Sequence, residues 1–242
     1  TLGHIIEQCE LGNCEKGRSG SLNIPNLDSL GIREAIRLAN GLMISKNANK
    51  ATGLFGAATE MSKGKDTPSG HWELAGVPVP WDWHFFKNKT ESFSDSIIKY
   101  VCDVANVPRI LGNCHASGTE IIDRLGEEHM LNGQPICYTS SDSVFQIAAH
   151  ESTYGLDRLY KLCENLAPFF HNMKVGRVIA RPFVGTNRDN FTRTENRKDF
   201  AIDPPSLTLC DYIKNDNRTV YAVGKINDIF SGKGISNVLK GK

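Results

Sequence analysis

From about residue 92 to residue 184, apolar segments alternate between the two-residue period of strands and the three-to-four-residue period of helices. This alternation restricts the chain to an α/β layer architecture. Residues 175–184 are its best strand, with Arg177, Ile179 and Arg181 on one face and Val178 and Ala180 on the other. Residues 109–112 and 135–138 read as shorter strands. Ile97, Ile98, Val101, Val104 and Ala105 share one face of a helix. Ser117-Gly118-Thr119-Glu120 is a capping box, in which the serine hydroxyl accepts from the amide three residues on and Glu120 reaches back. It opens a helix through Ile121, Ile122, Leu125 and Met130, which Asn132-Gly133 ends. A further helix is expected through Val144, Ile147, Ala148 and His150, and another over 156–166.

The flanks are less regular. Residues 1–60 are rich in Gly and Asn and hold one clear helix near 32–42, too little pattern for an independent core. The charged, turn-rich stretch 186–203 is expected to be a long functional loop or a linker. Pro204-Pro205 marks a boundary, after which 207–213 reads as helix and 219–226 as strand.

With 242 residues the chain can bury a sizeable core. A formal charge of +1 gives no net field for gripping nucleic acid, and no apolar run approaches the roughly 18 residues that span a membrane. The opening Thr1-Leu2-Gly3-His4 lacks the basic start and apolar stretch of a signal peptide, and it does not begin with Met. The seven cysteines form no Cys-x-x-Cys pair and read as scattered thiols of a reducing compartment, so a cytoplasmic location is expected. Glycosylation-type matches at Asn88, Asn190 and Asn217 then carry no weight.

Three constellations could carry chemistry. Asp66-Thr67-Pro68 suits a helix start, with Thr67 at or near the N-cap and Pro68 first in the helix. Unpaired amides and the helix dipole there stabilise an alkoxide attacking phosphorus, although a plain helix cap has the same pattern. A P-loop fits poorly, since Gly64-Lys65 precedes Asp66 and the motif's first glycine would fall on Thr59. Second, Thr139-Ser140-Ser141-Asp142-Ser143 is expected at a strand-to-helix junction, offering hydroxyls and helix-end amides to a phosphate or sugar. Third, Arg177 and Arg181 share a strand face, and Arg188, Arg193 and Arg197 follow in the loop, with forks suited to phosphate oxygens. The histidines show no metal-binding spacing.

Five runs in order resemble one family. Residues 61–73, with Lys65-Asp66-Thr67-Pro68-Ser69-Gly70-His71, are similar to the phosphoacceptor segment of phosphopentomutases, of the alkaline phosphatase superfamily. Gly112-Asn113-Cys114-His115-Ala116-Ser117-Gly118-Thr119, residues 138–144, Gly176-Arg177-Val178-Ile179-Ala180-Arg181-Pro182-Phe183 and Asn190-Phe191-Thr192-Arg193-Thr194 follow suit. The resemblance implies interconversion of ribose or deoxyribose 1-phosphate and 5-phosphate, with Thr67 carrying phosphate through a sugar bisphosphate that also acts as activator. By motif match Ser140, Asp142, Arg177, Ile179 (through its backbone) and Arg193 would contact the sugar phosphate, with Asn113 and Lys225 as further candidates. The implied fold is α/β, a partial alkaline-phosphatase-like core (1–78 and 204–242) with an inserted α/β cap over 79–203.

The departure from the family pattern concerns metal. The resemblance implies two divalent ions, usually manganese, held by Asp and His segments that this sequence lacks; Thr67 is the one family metal contact left. On this reading the chain is a middle part of the enzyme, and the 242 residues alone are expected to be inactive. Two alternatives stay open: another phosphatase or mutase of the superfamily, and a non-catalytic sugar-phosphate-binding module.

Overall fold

The stretch Arg177–Val184 is the strand β4 around which most of the chain is organised. In the computed structural model residues 2–13, 17, 20–42, 44, 50–64 and 66–239 are described, so Cys14 and Lys65 lie outside the described residues. The chain divides into two compact units, Thr1–Glu60 and Met61–Lys242.

The first unit holds α1 (Leu2–Glu10), α2 (Pro25–Leu30) and α3 (Ile32–Asn40). Its core is small: Ile6, Ile36 and Ile44 are buried, flanked by Leu2, Leu22 and Ile32. Arg33 ties the unit together, donating to Glu10 at 2.7 Å and Asp28 at 2.8 Å. The expected helix stops at Gly41, whose φ of 64° is the left-handed cap that glycine adopts without strain.

In the second unit, β1 (Leu111–His115), β2 (Ile136–Thr139), β3 (Val144–His150), β4, β5 (Thr192–Arg193) and β6 (Lys198–Ala201) form one mixed sheet. The β1–β2 and β3–β4 pairs are parallel; β2–β3, β4–β5 and β4–β6 are antiparallel. Three helices after α3 matter for the sheet: α5 (Asp95–Ala105), α6 (Gly118–Asn132) and α7 (Leu156–Asn172). The first and last of these cover one face, packing Ile97, Val101, Leu162, Leu166 and Phe170 on Phe145, Ile147, Val178 and Ala180. On the other face α6 lays Ile121 and Ile122 on Leu111, Ile136, Tyr138, Ala148 and Phe183. The period-two reading of β4 therefore holds, with Val178 and Ala180 on the fully covered side.

The expected helix through Val144–His150 is instead β3, every residue of which is buried. A strand covered on both faces shows no alternation, and the spacing of Val144, Ile147 and Ala148 satisfies a helix equally well. Thr139 consequently ends β2 and 140–143 form a turn between antiparallel strands, with no helix start behind it. Three shifts are smaller. The 109–112 strand begins at Leu111, the 156–166 helix runs on through Pro168 to Asn172, and 186–203 contains β5 and β6. Ser117 caps α6 as expected, accepting from the Glu120 amide at 3.2 Å.

Helix α4 (Thr67–Leu74) sits in a cluster of its own, where Trp72 packs with Val77, Val79, Trp83, Ile229 and Phe230. The Trp72 indole donates to the Ile229 carbonyl at 2.9 Å. After the prolines come α8 (Leu209–Asn215), β7 (Tyr221–Val223), α9 (Ile226–Ile229) and β8 (Asn237–Leu239), with β7 and β8 paired in parallel. Among the described residues no helix is long and apolar enough to cross a membrane.

Candidate active site

Because α6 covers only part of its sheet face, the polar side of β4 opens onto a cleft of about 320 Å³. Ser140 and Asp142 enter it from the β2–β3 turn, Arg177 and Ile179 from β4, and Lys225 from the residue before α9. Five positions from three separate segments thus meet in one cavity. Arg193, on β5, lines an adjoining cavity of about 490 Å³, and Arg181 and Arg197 line both. Asn113 is not in either lining. Its φ is 58°, and its side-chain carbonyl accepts from the Phe93 amide at 2.6 Å, so its amide group is occupied in fixing a loop.

Thr67 is exposed and is the first residue of α4, with Asp66 at the N-cap and Pro68 one place further in than expected. The carboxylate of Asp66 is fully buried and turned to the sheet. It accepts from the Ser143 amide at 2.8 Å and meets Arg177 Nη2 at 3.3 Å. Arg177 also lies 3.5 Å from both Asp142 and Asp199, and Asp199 accepts two bonds from Arg197 at 2.6 and 2.7 Å. A ladder of alternating charge therefore runs from the residue before Thr67 into the cleft. Burial pushes the Asp66 carboxyl above its ordinary range, and Arg177 and the Ser143 amide offset part of that rise.

The arginines around Tyr138 are less balanced. Arg181 donates through Nε to Gln146 at 2.8 Å, and burial lowers its pKa, with Arg197 and Arg193 adding to the drop. Burial raises the Tyr138 phenol to about 12 against the pull of those same cations, so it is protonated at neutral pH.

Arg181 and Arg197 belong to the arginine constellation expected from sequence, whereas Asp66, Gln146 and Asp199 were not among the site residues expected. Asp66 could have been found as the neighbour of Thr67. Gln146 was hidden by the helix assignment, since only on a strand does it face the cleft beside Ile179. Asp199 carried no signal in a charged stretch.

The donor set does not fit a metal centre. Among the described residues no three His, Cys, Asp or Glu side chains come together as a ligand group, so Thr67 has no co-ligands there.

Fold and cleft define a mixed-sheet α/β protein with one sheet face open to two joined, arginine-lined cavities. No family model matches the chain. It is 52% identical over 244 residues to a phosphopentomutase of Sinorhizobium medicae, and 51% identical to those of Rhizobium meliloti and Agrobacterium fabrum. Each match covers 99% of this chain, and the chain spans about 60% of the length of these curated relatives. The chain is a homologue of the phosphopentomutases.

Proposed function

We propose that this chain carries the sugar-phosphate site and the phosphoacceptor of a phosphopentomutase, an isomerase interconverting (deoxy)ribose 1-phosphate and 5-phosphate. The observation that best supports this is the convergence of Ser140, Asp142, Arg177, Ile179 and Lys225 on one cleft, tied through Arg177 to the buried Asp66 beside Thr67. In this reading residues 79–203 act as the cap and the remainder contributes to the core.

Thr67 is the acceptor. Its hydroxyl stands at a helix start, where free amides and the dipole favour the negative charge of a phosphoryl group. Phosphothreonine gives its phosphoryl group to the free hydroxyl of the sugar monophosphate: the new P–O bond to the sugar forms as the P–O bond to threonine breaks, and the proton of the sugar hydroxyl ends on the departing threonine oxygen. The resulting bisphosphate turns its other end to Thr67, which takes that phosphoryl group and releases the isomeric monophosphate. Asp142 accepts from a sugar hydroxyl, Ser140 and the Ile179 backbone hold oxygens in place, and Lys225, Arg177 and Arg193 balance the phosphate charge.

Family chemistry calls for two divalent ions, by resemblance manganese, which would lower the pKa of the acceptor hydroxyl and screen the transferred group. The described donors do not hold such ions, and no step is assigned to them. We therefore propose that the 242-residue chain binds the pentose phosphate without turning it over, in a reducing, cytoplasmic setting. Calorimetry with ribose 5-phosphate should give saturable binding, weakened in Arg193→Ala by about 1–2 kcal/mol, since this arginine is exposed. Manganese-dependent isomerisation by the chain would refute the lack of turnover.

The missing ligand group also favours a second reading, a sugar-phosphate-binding module without catalysis. Phosphothreonine at position 67 after incubation with ribose 1,5-bisphosphate would exclude it. Tighter binding of 3-phosphoglycerate than of ribose 5-phosphate would instead point to another mutase or phosphatase of the superfamily.

A further inference from the structure

Strand β3 sends one polar side chain into the smaller cleft. Val144, Gln146 and Ala148 share a strand face, so Gln146 stands between two apolar neighbours. Only 3% of the residue is exposed, and it lines the cleft. The register with β4 sets Gln146 opposite Ile179, whereas Arg177 and Arg181 pair with Val144 and Ala148. A neutral rung therefore separates two cationic ones on this face of the sheet.

One end of the Gln146 amide is committed and the other is free. Arg181 Nε donates to Gln146 Oε1 at 2.8 Å. A guanidinium has no acceptor, so the amide oxygen must face it, and the amide nitrogen is left to point elsewhere. That Nε2 meets no acceptor among the described residues, yet it is not one of the buried polar atoms sealed from solvent. Its opening is the cleft. A ligand that fills the cleft displaces solvent from this donor and must supply an acceptor, or the buried amide is left unpaired. The cations around it, Arg177, Arg181, Arg197 and Lys225, match phosphate oxygens. A neutral amide suits a neutral oxygen instead.

We infer that Gln146 is a specificity-determining residue of the cleft, its Nε2 donating to the 2- or 3-hydroxyl of a bound pentose phosphate. The inference rests on the phosphosugar reading above and adds to it the group that reads the sugar ring. The cations attract any phosphate ester. The Gln146 donor, by contrast, is left unpaired by a pentose that lacks the hydroxyl it meets, and that loss is what separates the two ligands.

The test is calorimetry of the whole chain and of Gln146→Met with ribose 5-phosphate, its 2-deoxy and 3-deoxy analogues, and inorganic phosphate. The unmodified chain should bind ribose 5-phosphate about tenfold tighter than one of the two deoxy analogues. Gln146→Met should lower the affinity for ribose 5-phosphate to that of this analogue, while the analogue and inorganic phosphate bind as before. Equal affinity of the unmodified chain for ribose 5-phosphate and both analogues would overturn the inference, whether or not the variant folds. A preference that survives in Gln146→Met would overturn it too. So would an equal loss for every ligand, phosphate included, which would leave Gln146 as a support for Arg181 alone. In these three cases ribose 5-phosphate still binds and the phosphosugar reading stands. Absence of saturable ribose 5-phosphate binding by the unmodified chain would overturn that reading and this inference together.

Discussion

The two faces of the six-stranded sheet are built from the same strands and end up chemically opposite. Under α5 and α7, Phe145 stacks on Phe170 with ring centroids 4.1 Å apart, Phe93 packs 4.7 Å from Phe145, and apolar side chains fill the layer. Beneath α6 only part of the face is apolar, and the rest presents Gln146, Arg177 and Arg181 to open cavities. One covered side supplies the burial that lets the other side keep cations half out of water. Since successive residues of β4 serve opposite faces, the strand carries both tasks at once.

The contrast can be broken where it is sharpest. Phe145→Ala should cost about 3–5 kcal/mol in chemical denaturation, because the cavity left between Phe93 and Phe170 cannot collapse. A loss below 1 kcal/mol would mean that the covered face is not the source of stability. Acid should act next, and on the α6 side. His129 is buried; one ring nitrogen faces the Gln134 carbonyl at 2.6 Å and the other accepts from the His150 amide at 2.9 Å, which fixes it as neutral. Burial lowers its pKa below the usual 6.5, so the unfolded chain binds the proton more readily. Stability from this group is therefore complete above the unfolded pKa and falls as the pH drops below about 6.5 toward the folded value. Melting temperatures between pH 7.5 and 5 should decline, and His129→Gln should flatten that slope; an unchanged slope would remove His129 as its source. The smallest effect belongs to the solvent side of α7. Lys161→Ala, breaking an exposed pair with Glu164 at 2.8 Å, should change stability by less than about 0.5 kcal/mol.

How far the molecule could be read from its sequence depended on how many faces of each element were covered. β4 was legible because its two faces differ, so Arg177, Ile179 and Arg181 stood out against Val178 and Ala180. β3, buried on both, had no such contrast and passed for a helix, which in turn placed Asp142 at a helix start it does not occupy. The helix start read from Asp66-Thr67-Pro68 holds, since α4 begins at Thr67. Asp66 and Asp199 could not be found as partners of Arg177, since 111 and 22 residues separate them from it and only the fold brings them within 3.5 Å. Asn113 illustrates the opposite case, where a motif position proves to be engaged with the backbone of Phe93.

The bond from the Trp72 indole to the Ile229 carbonyl joins residues 157 apart. During synthesis, every strand of the large sheet leaves the ribosome before residue 229 does, so that sheet can pair while the helix bearing Thr67 is held only through Asp66 and its near neighbours and still lacks the bond from Trp72 to Ile229. The segment made early is thus completed late, since a nascent chain can pair its large sheet before Lys225 reaches the cleft and Ile229 reaches the helix of Thr67.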